Sequence, residues 1–187
     1  MNTEIKRIID ISLEETMNSL ERIDINKIEK IVEVLVNAYK QNRIVFAVGN
    51  GGSSSTSAHF VADLSKFATG NKKGFRAIDL GGNNSLQTAW TNDKNWEETW
   101  SSILNPWIEK GDILVLFSVH GGERWSNNLS KAIELAKKLK DNGVEFNLNI
   151  IGDGPLKIQL SEMIKHFNLK AEIHLLGAMT TEEVRMY

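Results

Sequence analysis

Apolar positions follow two different rhythms along this chain. Through residue 42 the spacing is helical. Ile5, Ile8, Ile9, Ile11, Leu13 and Met17 form one stripe, and Ile28, Ile31, Val32, Leu35 and Val36 form another between Ile25 and Tyr39. Both stripes are expected to pack as core. From residue 43 short apolar runs alternate with amphipathic stretches. Arg43 to Val48 and Asp112 to Ser118 read as buried parallel strands, as does Phe146 to Ile151. Weaker strands are expected at Phe75 to Leu80 and Ile173 to Leu176. Helices are expected at Ser53 to Lys66, Ser85 to Ala89, Trp96 to Trp107 and Trp125 to Lys140. A further helix runs from after Pro155 to about Phe167, and a last one is capped by Thr180 or Thr181. This alternation predicts an α/β domain, a three-layer sandwich with a mainly parallel sheet, preceded by two helices. Ligands in such folds bind at the carboxyl ends of strands. The loops after Val48, Ser118 and Ile151 are therefore the candidate positions.

Composition narrows the function classes. The 187 residues carry 22 basic and 24 acidic side chains, a formal net charge of -2, which offers no electrostatic case for nucleic acid or an anionic membrane. No apolar run is long enough to cross a bilayer, and the N-terminus has no apolar core of a secretion signal. The sequence has no cysteine, which excludes disulfides, thiolate metal sites and cysteine nucleophiles. A cytoplasmic location is the simplest expectation.

The first loop, Gly49-Asn50-Gly51-Gly52-Ser53-Ser54-Ser55, joins a strand to a helix. Glycines permit close backbone approach and positive φ, and the helix start presents N–H groups and a positive dipole end to an anion. Serine hydroxyls add donors without charge. The bland alternative is a flexible turn. The loop is not a nucleotide P-loop, because no Gly-Lys-Ser/Thr follows. The G-x-G-x-x-G pattern fails as well, because position 54 is serine. A second loop leaves the next buried strand at Ser118-Val119-His120-Gly121-Gly122, and a helix opens after it with Ser126. Together these loops suit the phosphate of a small molecule.

The run Val48-Gly-Asn-Gly-Gly-Ser-Ser-Ser-Thr-Ser-Ala-His-Phe-Val-Ala-Asp-Leu64 resembles the sugar isomerase (SIS) domain family, most closely its phosphoheptose isomerase branch. The second loop, Thr91-Asn-Asp93 and the leading helices fit the same likeness, which covers about residues 1–140. The resemblance implies aldose–ketose isomerisation of sedoheptulose 7-phosphate or a related sugar phosphate. A base removes the proton beside the carbonyl, an enediol forms, and the proton returns at the neighbouring carbon. His59 and Asp63, spaced i, i+4 on one helix face, are the implied catalytic pair. Asp63 stands where the family carries a glutamate one methylene longer. The same pair implies a zinc site in some members, given further ligands. The implied substrate contacts are Asn50, Gly51, Gly52, Ser53, Ser55 and Ser118 with Ser126 on the phosphate, and Asp93 on sugar hydroxyls. His120 is placed by its loop to meet the ligand, with no family role to carry over. The tryptophans at 90, 96, 100, 107 and 125 are expected mainly in core or interface rather than as a sugar platform.

The last third differs. Asn142 to Leu156, Ile173 to Gly177 and Thr180 to Val184 resemble the nucleotide-sugar half of a retaining GT-B glycosyltransferase. The family's final histidine-bearing helix is not seen in its place. The expectation is one SIS-like domain over residues 1–187, with 141–187 completing the sheet, whether as a fusion, a truncation or a chimera. His166 and His174 are read as surface or packing residues. Three functions follow: a sugar-phosphate isomerase, a non-catalytic sugar-phosphate-binding module, or a truncated glycosyltransferase fusion. A homo-oligomer is expected, since the leading helices and tryptophans offer apolar area.

Overall fold

Two helices lead the chain, α1 (Thr3–Glu21) and α2 (Ile25–Lys40). The computed structural model describes residues 3–21, 23, 25–118, 127, 131, 134–135, 147–151, 157–166, 170 and 173–177. After α2 the chain turns through Asn42, whose φ of 55° suits asparagine, and enters β1 (Ile44–Gly49). The elements that follow are α3 (Gly52–Lys66), β2 (Arg76–Asp79), a 3₁₀ turn (Leu80–Gly82), α4 (Asn84–Asp93) and α5 (Thr99–Leu104). Then come β3 (Ile113–Phe117), β4 (Asn147–Ile151), α6 (Lys157–His166) and β5 (Ile173–Gly177).

The five strands form one parallel sheet in the order β2-β1-β3-β4-β5. The central strands β1 and β3 are the two most continuous apolar runs, and both are buried along nearly their whole length. The edge strand β2 is short and alternates exposed with half-buried positions. Side chains alternate across the sheet. Val45, Ala47, Ile113, Val115 and Phe117 meet Leu35 and Ala38 of α2 and Phe60 and Leu64 of α3 in one apolar cluster. Phe46, Val48, Leu114 and Leu116 point to the opposite face and are equally dry, so both faces are covered. The rings of Phe60 and Phe117 meet edge to face, with centroids 5.4 Å apart. Asp112 ties the starts of the two central strands together. One carboxylate oxygen accepts the N–H of Ile44 at 2.8 Å and the other that of Glu109 at 2.9 Å.

Three expectations need correction. The α1 stripe is not core: Ile8 is 59% and Met17 63% exposed, and Ile5, Ile9, Ile11 and Leu13 are exposed too. The sheet face is already covered by α2 and α3, so among the described residues α1 meets no further apolar layer. On α2 only Leu35 and Ala38 are buried, while Val32 and Val36 face out. The helix expected over Trp96 to Trp107 is only the six residues of α5, flanked by turns, with Trp107 56% exposed. Conversely, α4 extends to Asp93. The helix expected over Trp125 to Lys140 is described only at Asn127, a turn, and at Lys131, Glu134 and Leu135, all helical. The Gly152 to Pro155 turn and the last helix after Thr180 lie outside the described residues.

Candidate functional site

In the strand order 2-1-3-4-5 the chain switches direction between β1 and β3, the position where such sheets take ligands in a crevice beyond the strands' carboxyl ends. The register places Gly49 opposite Phe117, so the loop that follows Gly49 and Ser118 leave neighbouring strands at one edge. The structure thus brings Ser118, the described start of the second loop, beside the first loop.

Glycine is required at position 49 by space. A Cβ there would run into the backbone carbonyl of Ser53 and lie 2.8 Å from its Cβ. Gly51 is required by conformation, with φ 55° and ψ -122° at the N-cap of α3. It contributes no side-chain cap. The N–H groups of Ser53 and Ser54 turn back onto the carbonyls of Asn50 and Gly51, both at 3.0 Å. Most helix starts place a Ser, Thr, Asp or Asn side chain over their first N–H groups. Here that position is left to glycine, and the helix end is electropositive. Ser53 is half-buried and Ser55 exposed, as are Gly51 and Gly52.

The second turn of α3 is anchored to the turn after β2. Ser57 is 0% exposed and donates its hydroxyl to Asp79 Oδ1 at 2.7 Å. The same oxygen accepts the N–H of Gly81 at 3.3 Å, joining α3 to the turn after β2. Asn50 is held from the side. Its Oδ1 accepts the indole N–H of Trp100 at 3.1 Å, and Trp100, 6% exposed, lies edge to face with Trp96 at 5.5 Å. Neither Asp79 nor Trp100 was singled out by the sequence as a partner of this loop. Their bonds reach 22 and 50 positions along the chain, and no local pattern encodes them.

His59 and Asp63 follow on α3, past the loop. His59 is exposed and Asp63 is half-buried. The buried face of the helix is drawn by Ser57, Phe60 and Leu64, so His59 lies well round toward solvent. Asp93 ends α4, exposed, and accepts a hydrogen bond from Asn92 Nδ2 at 3.1 Å. His120 and Ser126 lie outside the described residues. Among the described residues no three His, Cys, Asp or Glu come together as a metal site, so His59 and Asp63 alone fall short of the three protein ligands of a catalytic zinc. Of the tryptophans, Trp100 is core and Trp90 is half-buried beneath Lys94 Nζ at 4.9 Å. Trp125 lies outside the described residues.

A concavity of about 470 Å³ lies between α4, α5 and the helical residues Lys131, Glu134 and Leu135. Its charges are balanced in pairs, Lys94 with Glu98 at 3.7 Å and Lys131 with Glu134 at 2.9 Å. The hydrogen bond and charge of Glu134, with Glu98 and Glu97 nearby, hold the Lys131 ammonium above its ordinary value.

Sheet order and the uncapped helix define a doubly wound α/β domain whose topological switch point, the candidate ligand position, falls between β1 and β3. The chain belongs to the SIS domain family, which matches residues 12–145. A second family, glycosyl transferases group 1, matches residues 105–187, so the two overlap over 105–145. The chain is 33% identical to the phosphoheptose isomerase of Helicobacter pylori over 153 residues, 81% of this chain and 74% of that one. It is 37% identical over 110 residues to the lincomycin biosynthesis protein LmbN of Streptomyces lincolnensis, a match spanning 57% of this chain but only 40% of that longer protein. The solved structure of the phosphoheptose isomerase from Neisseria gonorrhoeae superposes with a TM-score of 0.72 over 97% of this chain and 91% of that one, at 21% identity. That likeness shows the fold. Among the described residues no helix is long and apolar enough to cross a membrane.

Proposed function

We propose that this protein binds a sugar phosphate in the crevice between β1 and β3 and interconverts its ketose and aldose forms, with sedoheptulose 7-phosphate or a close relative as substrate. The observation that carries the reading is the glycine-started, uncapped α3 at the switch point of a chain in the SIS family. The kinship with phosphoheptose isomerases supports the substrate class. In this reading Asn50, Gly51, Gly52, Ser53, Ser55 and Ser118 donate to the phosphate, with Ser126 completing the cradle. His120 meets the ligand from its loop, and Asp93 meets sugar hydroxyls.

Asp63 is the base. It takes a proton from C1 of the ketose while the C2 oxygen is protonated, giving an enediol. The proton then returns to C2 as the C1 oxygen gives up its own, so no atom is gained or lost. His59, one turn earlier on the same helix, serves the oxygen protons. Zinc belongs to the proposal as a metal held in part by His59 and Asp63. Its remaining ligands come from outside the described residues or from a second copy, and no proton transfer above depends on it. Metal analysis of protein purified without chelator tests this, with zinc lost in His59→Ala.

The exposed α1 stripe supports a homo-oligomer. A cysteine-free chain acting on a phosphorylated metabolite fits the cytoplasm.

A non-catalytic sugar-phosphate-binding module is the second reading. It is favoured by the glycosyltransferase-like match over 105–187, the region where phosphoheptose isomerases are expected to supply their last histidine. Calorimetric titration with sedoheptulose 7-phosphate and with a nucleotide sugar, followed by a turnover assay, separates the readings. Binding and turnover of the sugar phosphate are expected. Binding without turnover leaves the module, and binding of the nucleotide sugar alone overturns both.

A further inference from the structure

We infer that Trp100 is a positioning residue for the phosphate loop, acting by fixing which end of the Asn50 amide faces the ligand. The inference rests on the phosphate-binding reading above. An indole N–H donates and cannot accept, so the Asn50 atom it meets at 3.1 Å is the carbonyl oxygen. The amide is planar, and its nitrogen is therefore turned away from the indole with two N–H donors. Asn50 immediately precedes the N-cap Gly51 and follows the last residue of β1, at the mouth of the crevice. An amide flipped the other way would offer that crevice an oxygen, which repels a phosphate.

The donor is rigidly mounted. Trp100 is 6% exposed and packs edge to face on Trp96. The preceding residue Thr99, fully buried, shares a 2.8 Å hydroxyl contact with Thr91 of α4 and donates to the carbonyl of Asn95 at 3.0 Å. The indole is thus set by α4 and α5, elements outside the loop it orients. A core tryptophan needs only its rings to fill space. This one aims its single polar atom at the loop.

Trp100→Phe removes the N–H and keeps most of the ring. Its affinity for inorganic phosphate and for sedoheptulose 7-phosphate is expected to fall about fivefold to tenfold, less than the roughly tenfold to hundredfold cost of losing a hydrogen bond to a charged group outright, because the freed amide can still turn its nitrogen to the ligand. In an Asn50→Ala background the same change is expected to cost no further affinity, whereas a merely structural role would add a second loss. Asn50→Asp keeps the acceptor and removes the donors, and needs no change in the core. The Trp100 indole N–H, followed by NMR exchange with solvent, is expected to stay protected in that variant while phosphate affinity falls at least as far as in Asn50→Ala. Wild-type affinity in folded Trp100→Phe, an equal loss in the Asn50→Ala background, or wild-type affinity in Asn50→Asp each overturns the inference alone. A wild-type protein that binds no phosphate overturns the phosphate reading and this inference together.

Discussion

Gly49 and Asp112 carry opposite kinds of constraint on the two central strands. Gly49 is there because nothing larger fits: a methyl group would meet the backbone of Ser53, which is already bonded to Asn50. Gly49→Ala is expected to destabilise the fold by about 2 kcal/mol, the cost of overpacking a fixed backbone, and to disturb the loop as it does so. Asp112, 3% exposed, is there because two backbone N–H groups need an acceptor. Asp112→Ala strands both, and a loss of about 3 kcal/mol is expected. Chemical denaturation measures each value. Loss of stability with phosphate binding retained is expected for Asp112→Ala, since its bonds lie at the opposite end of the sheet from the crevice. The glycine was legible in the sequence from its neighbours Asn50 to Ser55. The aspartate was read only as the start of a strand, because its partner Ile44 lies 68 positions away. Asp79 and Trp100 escaped for the same reason.

At the scale of elements, the reading was sound wherever one strong local signal sufficed. An unbroken apolar run marks β1 and β3, and the serine-rich turn marks α3. It failed where the same residue types serve two ends. Trp96 and Trp107 suggested one helix, yet the chain folds only Thr99–Leu104 as α5 and uses the flanks as turns. The short α5 gains its rigidity from side-chain bonds, with Thr99 to Thr91 and Trp100 to Asn50. Lys131 and Glu134, both helical, add an exposed ion pair that says little about stability at neutral pH. Because Glu134 raises the Lys131 value, the pair's small contribution is complete below the ordinary lysine value and is lost as pH rises through the raised one. In Glu134→Gln the Lys131 titration, followed by NMR of its Nζ, is expected to move down. An unmoved titration would assign the shift to Glu97 and Glu98 instead.

For the molecule as a whole, periodicity revealed the α1 stripe but not its destination. Helical spacing says that a face is apolar and cannot say whether the surface it buries against belongs to the same chain. Among the described residues nothing covers it, and Ile5, Ile8, Leu13 and Met17 are exposed. Ile8→Asp combined with Met17→Asp is expected to lower the mass measured by light scattering to that of one chain, while circular dichroism stays close to wild type. A wild-type protein already monomeric at assay concentration would contradict the proposed oligomer. The crevice between β1 and β3 is likewise a property of the whole sheet. Gly49 and Ser118 are about 70 positions apart, and the parallel register of Gly49 with Phe117 brings them to one edge. The most direct measurement is a proton NMR time course of sedoheptulose 7-phosphate with the wild-type protein and with Asp63→Asn. The expected result is a growing anomeric resonance of an aldose phosphate with the wild type, and none with the variant. No anomeric resonance with wild-type protein that binds the sugar phosphate would contradict isomerisation.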